Sequence, residues 1–216
     1  MLVINDLHIG VLRNAGTTPA TSIALRRWAI ENLRTLLANA DDDVVILGDL
    51  FDTHSIPMQD LLETYQVLQA WLEGSTFKLY GVCGNHDVAK DSSKLSSFQF
   101  LFKLLEGPRS TYLQGADWLD EAEGIYAVSH VLNQDILDLH LSQVPKCKYL
   151  LVHANYDNNF AAQSDHSLNI SREQAEELPC EKIVFAHEHH SRMALAGKVF
   201  VCGNQFPTSV SDCLDK

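Results

Sequence analysis

Five short apolar runs, widely separated along the chain, each end close to a block of Asp, Asn or His residues. The runs are rich in β-branched and aromatic residues, which is typical of buried strands. They comprise residues 2–4, 44–47, 77–82, 149–152 and 183–185. The blocks that follow them are Asp6-Leu7-His8, Gly48-Asp49-Leu50-Phe51-Asp52, Gly84-Asn85-His86-Asp87, His153 and His187-Glu188-His189. A fold that accepts this pattern must place polar side chains at the carboxyl ends of several strands.

Two helical patterns separate the first three runs. Apolar residues recur at helical spacing in residues 25–37 and again in residues 61–72. Strands alternating with helices predict β-α-β-α-β order with crossover helices. In such sheets ligands bind where the strands end, so we expect the polar blocks to share one edge. Later in the chain, residues 157–180 are predicted to be a loop that lines the cleft, followed by a short helix from Ser171 to Leu178.

The polar blocks supply seven side chains that can ligate a metal ion: Asp6, His8, Asp49, Asn85, His153, His187 and His189. A mixture of carboxylate, imidazole and carbonyl-oxygen donors suits manganese, iron or zinc better than calcium or a thiolate-bound zinc. Seven donors are too many for one tetrahedral ion, but they fit two ions about 3.5–4 Å apart that share one carboxylate. The sequence therefore predicts a dinuclear site.

The blocks resemble, in order, the signature of the calcineurin-like metallophosphoesterase superfamily: DxH, GDxxD, GNH(D/E), a lone His and GHxH. The resemblance runs from residue 2 to about residue 210. It implies an α/β fold, a β-sandwich flanked by helices in four αββα layers, with the dinuclear metal site at the carboxyl ends of strands. Ala186 stands where the superfamily usually has Gly, which puts a tight turn in doubt but removes no ligand.

The resemblance also implies how the ligands divide between two ions. One ion would be bound by Asp6, His8, Asp49 and His189, and the other by Asp49, Asn85, His153 and His187. Asp49 would bridge the two, and a hydroxide between them would attack phosphorus. Manganese is the expected ion, with iron, zinc and magnesium as alternatives.

Five further residues are candidates for catalysis or substrate binding by the same resemblance. His86 would protonate the leaving group, and Asp87 would orient or charge that imidazole. Asp52 would fix the tautomer of a ligand histidine. His54 and Arg13 lie on loops after the motifs and could contact substrate.

Within the superfamily, the segments at 6–10, 48–52 and 84–87 are most similar to the nuclease subunit of the bacterial SbcC–SbcD complex. This implies a phosphodiesterase of the DNA-repair type, an exonuclease acting on DNA, with an SbcC-like ATPase partner and a homodimer as expected assemblies. SbcD-type nucleases normally carry a further domain that positions DNA. The 216 residues leave no room for it, so we expect residues 1–216 to form a single catalytic domain without a DNA-capping domain.

Two other functions remain open on the sequence. A phosphomonoesterase, such as a protein phosphatase, would use the same metals. Those phosphatases usually have Asp-Arg-Gly where this chain has Asp52-Thr53-His54, and Asn-His-Glu where it has Asn-His-Asp. A scaffold that kept the fold and lost the metals is disfavoured because all seven ligands are present.

Charge argues against a protein that binds nucleic acid unaided. The chain has 16 Lys and Arg against 28 Asp and Glu, a net charge of −12, whereas affinity for DNA depends on basic patches. Two divalent ions would still leave the site itself slightly positive. The acidic exterior therefore suits either a small substrate or a nuclease that a partner ATPase holds on DNA.

The cysteines and the hydropathy predict a cytoplasmic location with no membrane contact. The five cysteines show no Cys-x-x-Cys spacing, which favours reduced thiols over disulfides. No signal peptide precedes the first strand, and no apolar run approaches the roughly 18 residues that span a membrane.

Overall fold

A computed structural model describes residues 1–11, 19–89, 91, 94–158 and 168–206. The first of its sheets is parallel throughout, in the order β1-β2-β3-β4. Its strands are Leu2–Ile4 (β1), Val44–Leu47 (β2), Leu79–Val82 (β3) and Ser110–Leu113 (β4). Parallel pairing requires crossovers between successive strands, and the helices of the β-α-β pattern supply them.

The second sheet has six strands in the order β11-β12-β10-β7-β6-β5. They are Ala116–Asp120 (β5), Ile125–Val128 (β6), Cys147–His153 (β7), Cys180–Ala186 (β10), Arg192–Ala194 (β11) and Val199–Val201 (β12). The four central strands run parallel, and only the edge strands β5 and β11 are antiparallel. A parallel ribbon of two short strands, Asn155–Tyr156 (β8) and Asn169–Ile170 (β9), lies beside this sheet.

Helices cover the outer face of each sheet. Those on the first sheet are Pro19–Ala38 (α1), Met58–Gly74 (α2) and Ser97–Leu105 (α3), and those on the second are Gln134–Ser142 (α4) and Arg172–Glu177 (α5). Ser171 begins α5 through a capping box with Gln174, an arrangement that satisfies two free donors at a helix start. None of the helices in the described part of the chain is both long and apolar enough to cross a membrane.

Alternating side chains along the central strands build three apolar layers. In β2, Val44 and Ile46 pack against the helices, whereas Val45 and Leu47 pack against the second sheet. Leu151 of β7 faces them across the sandwich. Strands buried on both faces have continuous apolar runs, which is the pattern in the sequence. The predicted α/β sandwich with αββα layers is confirmed.

The carboxyl ends of the two sheets meet at one edge of the sandwich. The ring of His153, at the end of β7, lies with Nδ1 3.0 Å from the carbonyl oxygen of Leu47, at the end of β2. Cys83, just after β3, donates its N–H to the Ser129 hydroxyl at 3.1 Å and accepts from the His130 N–H at 2.9 Å. Loops from both sheets therefore deliver their side chains to the same place.

Residues 159–167 of the predicted loop lie outside the described part of the chain, and the rest of segment 157–180 differs in part from the prediction. The predicted helix is present as α5, but Asn169–Ile170 forms a strand where a loop was expected. The strand is two residues long, too short to produce an alternating pattern in the sequence. Its pairing with Asn155–Tyr156 holds the chain close to the carboxyl end of β7.

Gly81 provides a test of the packing between β3 and α3. A Cβ atom at Gly81 would lie 2.5 Å from the ring of Phe102, which is 1% exposed and packs against Phe98 and Tyr112. We expect Gly81→Ala to lower the free energy of unfolding by about 1–3 kcal/mol, as over-packing does. Urea denaturation measures this change.

Gly74→Ala is the matched control, because nothing lies within 4 Å of the added Cβ atom at this helical position. Its stability should be unchanged or higher by up to about 1 kcal/mol. Equal unfolding midpoints for the two variants would contradict the packing at Gly81.

Candidate metal centre

The carboxylate of Asp6 is oriented by its neighbours so that one oxygen is left without a donor. Oδ2 accepts hydrogen bonds from Asn5 Nδ2 at 2.6 Å and from the backbone N–H of His187 at 3.1 Å. Oδ1 is buried and has no hydrogen-bond partner among the described residues. A buried oxygen without a partner is costly, so Oδ1 is placed to receive a cation.

The ring of His8 likewise has buried polar atoms without a hydrogen-bond partner in the described part of the chain. Both of its nitrogens are buried without a hydrogen bond in the described structure, although Nδ1 lies 3.3 Å from Asp52 Oδ1. Burial lowers the pKa of His8, but Asp52, Asp49 and Asp6 outweigh it and the net pKa is raised. Donor atoms of Asp6, His8 and His189 lie within 4.8 Å of one another and could hold one metal ion.

A second group could hold another ion. Donor atoms of Asp49, His153 and His187 also lie within 4.8 Å of one another. His153 Nδ1 faces the carbonyl oxygen of Leu47, which can only accept, so Nδ1 carries the proton and donates. Nε2 then faces Asp49 Oδ2 at 3.3 Å and Asn85 Oδ1 at 3.1 Å. The Nε2 nitrogen, a carboxylate oxygen and an amide oxygen thus converge on one point.

Electrostatics at this point show that it attracts positive charge. Burial lowers the pKa of His153, but the charge of Asp49 outweighs burial and raises the pKa to about 9. Burial alone would raise the pKa of Asp49. The neighbouring His153 and His8 outweigh burial and hold the pKa of that carboxyl well below its usual range. In the absence of a metal the site takes up a proton, which a divalent cation would replace.

Asp49 lies at the junction of the two groups. Its Oδ2 is 3.3 Å from His153 Nε2 and 3.9 Å from His8 Nε2, and its Oδ1 accepts the backbone N–H of His86 at 2.9 Å. The two groups, with Asn85 Oδ1 3.1 Å from His153 Nε2, bring the seven predicted ligands into one cluster. The donor types and the partnerless atoms fit two divalent ions, while the individual assignments remain predictions.

Four of these seven residues have a backbone conformation that is rare for residues other than glycine. The φ angle is positive at Asp6 (50°), His8 (47°), Asp49 (50°) and His187 (94°). Each such conformation costs about 1–3 kcal/mol and is found mainly at functional sites. Two backbone hydrogen bonds stabilise the loops in this conformation. Asp6 N–H donates to the Gly48 carbonyl at 3.1 Å, and His8 N–H donates to the Asp49 carbonyl at 3.0 Å.

Two glycines in the motifs are needed because side chains of the site lie against them. A Cβ atom at Gly48, where φ is 82°, would lie 2.1 Å from His153 Nδ1. At Gly84 it would lie 2.2 Å from Asp49 Oδ1. Any larger residue at either position would displace a candidate ligand.

His86 is held so that one ring nitrogen remains available. Its Nδ1 lies 2.5 Å from the carbonyl oxygen of Asp52. A carbonyl oxygen only accepts, so Nδ1 donates and Nε2 is left for another partner. The ring is half-buried and lies 5.0 Å from the ring of His8, centroid to centroid.

Asp87 was predicted to orient or charge the ring of His86, and that role stays a prediction. Its carboxylate accepts two backbone hydrogen bonds, Oδ1 from the N–H of Phe51 at 3.1 Å and Oδ2 from the N–H of Gly84 at 3.0 Å. Burial, and then the charge of Asp49, raises the pKa of Asp87 to about 7. Asp87 therefore ties together the two loops that carry Asp49 and Asn85. The sequence could not distinguish these roles because the contact with Phe51 is 36 residues away along the chain.

The predicted substrate contacts stay predictions. His54 lies in an exposed bend after Asp52, and its backbone carbonyl accepts the N–H of Ser97 at 2.8 Å. Arg13 lies outside the described residues.

His130 is a neighbour of the site that sequence reasoning missed. It follows β6, whose last residue Val128 pairs with Val152 just before His153. Burial and the nearby His153 lower the pKa of His130 to about 3, with further contributions from His187 and His86. A neutral imidazole therefore borders the second group. The signal was the strand-like run 125–128 followed by a histidine, the same pattern as at the predicted blocks.

The chain belongs to the calcineurin-like phosphoesterase family, whose model matches residues 1–191. The structure is similar to that of phosphopantetheinyl hydrolase (PptH) from Mycobacterium tuberculosis, with a TM-score of 0.50 and 13% sequence identity over 96% of this chain and 92% of that one. That likeness shows a common fold. No curated protein matches the chain significantly. The superfamily prediction is confirmed, and the SbcD-type subgroup remains a prediction.

Replacing Asp87 by Asn tests its role in joining the loops. Asn offers one carbonyl oxygen, so one of the two backbone N–H groups, of Phe51 or Gly84, would face an amide NH₂ instead of an acceptor. We expect the free energy of unfolding to fall by about 1–3 kcal/mol, the cost of a buried donor without a partner. Denaturation in EDTA removes any contribution from metal.

Asp117→Asn serves as the control, since Asp117 is exposed and, among the described residues, accepts only the N–H of the next residue. Its effect should stay within about 0.5 kcal/mol. If Asp87→Asn is as stable as this control, Asp87 does not hold the two loops together.

Proposed function

We propose that this chain is a two-metal-dependent phosphodiesterase of the SbcD-like group that hydrolyses DNA as an exonuclease. The observation that carries the proposal is the pair of neighbouring ligand groups, with Oδ2 of Asp49 in one group 3.9 Å from Nε2 of His8 in the other and the ring of His86 beside that of His8. Membership of the calcineurin-like phosphoesterase family supports the hydrolase chemistry. The DNA substrate is supported by the resemblance of the segments at 6–10, 48–52 and 84–87 to SbcD-type nucleases.

The chain's own residues would hold the ions and keep them apart. When bound, the two ions polarise the phosphoryl oxygens and lower the pKa of a water between them. One ion would be held by Asp6, His8, Asp49 and His189, and the other by Asp49, Asn85, His153 and His187. Manganese is the proposed ion, with iron, zinc or magnesium as alternatives that the same donors accept.

His86 would supply the proton for the leaving oxygen. Its Nδ1 donates to the Asp52 carbonyl, so its Nε2 is the nitrogen that can carry a proton to the substrate. A general acid in this position protonates the leaving oxygen as its negative charge develops. The carboxylate of Asp52, 3.3 Å from His8 Nδ1, would keep His8 in the tautomer that leaves Nε2 unprotonated.

The acidic exterior supports a partner in DNA binding. With 16 Lys and Arg against 28 Asp and Glu, and a net charge of −12, this chain has fewer basic groups to neutralise phosphates than acidic groups to repel them. An SbcC-like ATPase and a second copy of the chain would supply the contacts with phosphates that affinity for DNA requires.

Substitution of the proton donor and of the bridging ligand should separate catalysis from metal binding. His86→Ala should keep two metals and lose turnover by about 10²–10⁴-fold, the usual contribution of a general acid. Asp49→Ala should lose metal as well, since Asp49 contacts both groups. Metal content by mass spectrometry of the purified proteins, with manganese-dependent turnover, measures both. An Asp49→Ala protein that retains two ions would refute the bridging assignment.

The substrate is tested by comparing phosphodiesters with phosphomonoesters. The panel consists of bis-p-nitrophenyl phosphate, end-labelled single- and double-stranded DNA, p-nitrophenyl phosphate and a phosphopantetheinylated carrier protein, with His86→Ala as the blank. We expect diester and DNA cleavage that disappears in the blank. Cleavage of the monoester alone would identify a phosphomonoesterase. Release of phosphopantetheine alone would assign this chain the activity for which the M. tuberculosis neighbour is named.

A further inference from the structure

Glu188 lies between two candidate ligands that belong to different metal groups. His187 contributes to the group of Asp49 and His153, and His189 to the group of Asp6 and His8. The side chain of Glu188 is 13% exposed, and the motif resemblance assigns it no role. Its carboxylate contacts residues outside both groups, so it is not a third ligand between the two histidines.

The carboxylate is held by a closed set of hydrogen bonds. Glu188 Oε1 accepts the backbone N–H of Tyr156 at 2.6 Å and Arg192 Nη2 at 3.0 Å. Arg192 Nη1 pairs with Oε2 of the same carboxylate, and Arg192 Nη2 also donates to the Tyr156 carbonyl at 2.8 Å. A forked pairing of this kind fixes the orientation of both partners. Tyr156 itself is buried and packs on Phe185 of β10.

The set of bonds anchors the middle of the loop that carries both histidines. Residues 187–191 form no regular element, and φ at His187 is 94°. On one side the N–H of His187 donates to Asp6 Oδ2, and on the other the His189 carbonyl accepts the N–H of Asn204 at 3.2 Å. Glu188 is the side chain that ties the middle of this loop to the β8 strand.

We propose that Glu188 is a positioning residue that sets the distance between His187 and His189, and thereby the distance between the two metal ions. Tyr156 and Arg192 are its anchor. The inference rests on the proposed two-metal function. It assigns Glu188 an effect on the positions of the metal ligands and none on substrate contact.

The chain offers a matched control for the test. Arg172 and Glu176 have the same i,i+4 spacing and pair at 3.2 Å, but both side chains are exposed on α5. Glu188→Ala, Glu188→Gln, Arg192→Ala and Glu176→Ala are compared with the wild type as full-length proteins. Titration calorimetry with Mn²⁺ gives affinity and stoichiometry, and electron paramagnetic resonance reports whether two bound Mn²⁺ ions are spin-coupled.

Glu188→Ala should weaken Mn²⁺ binding about 10–100-fold, as loss of a residue that orients metal ligands does, and should diminish the spin-coupled signal. Glu188→Gln should have a smaller effect, because its Oε1 can still accept the Tyr156 N–H. Arg192→Ala should resemble Glu188→Ala. A fifth protein, the Glu188→Ala/Arg192→Ala double variant, should be no worse than either, since the two residues act as one unit. Glu176→Ala should match the wild type.

The outcomes distinguish this inference from the proposed function. Wild-type protein that binds none of Mn²⁺, Fe²⁺, Zn²⁺ and Mg²⁺ in the same titration would overturn both. Two coupled ions in the wild type, with unchanged affinity and coupling in Glu188→Ala and Arg192→Ala, would overturn the positioning role alone. If Glu188→Ala fails to fold, as judged by circular dichroism in EDTA, Glu188→Gln and Arg192→Ala decide by the same readouts.

Discussion

The burial of the Asp49 carboxylate is the constraint on which the rest of this structure depends. Asp49 is 1% exposed, and an ionised carboxylate removed from water costs several kcal/mol unless positive charge lies next to it. The compensation comes from His8 on the neighbouring loop of the same sheet and from His153 on the other sheet. The two sheets must therefore meet at their carboxyl ends, and the cations that the donors fit would complete the compensation.

Much of this arrangement could be predicted because it follows from local sequence. A short apolar run followed by Asp, Asn or His gives a strand and a side chain at its carboxyl end, and five such pairs predicted the fold class and the residues gathered around Asp49. What could not be predicted depends on contacts between distant segments. The bond from Phe51 to Asp87 and the bond from Tyr156 to Glu188 leave no local pattern. His130 had the local pattern, but it is not part of the motif signature.

The site departs from ordinary backbone preferences where its chemistry requires it. Left-handed backbone at Asp6, His8 and Asp49 aims donors at one point at a cost in stability. The cost is offset by neighbours that donate to or accept from the strained loops, such as Asp87. Residues of this kind hold the loops together, and the geometry of the candidate ligands depends on them.

Each of the two ligand groups draws on both sheets. Asp6, His8, Asp49 and Asn85 follow strands of the first sheet, whereas His153, His187 and His189 follow strands of the second. Ions bound here would link the two sheets. The free energy of their binding would add to the free energy of unfolding of the sandwich. Scarcity of the ion would then affect more than turnover, because the sheets would be joined by their apolar layer and by the few hydrogen bonds between them. For such a molecule, the supply of metal is also a determinant of its lifetime.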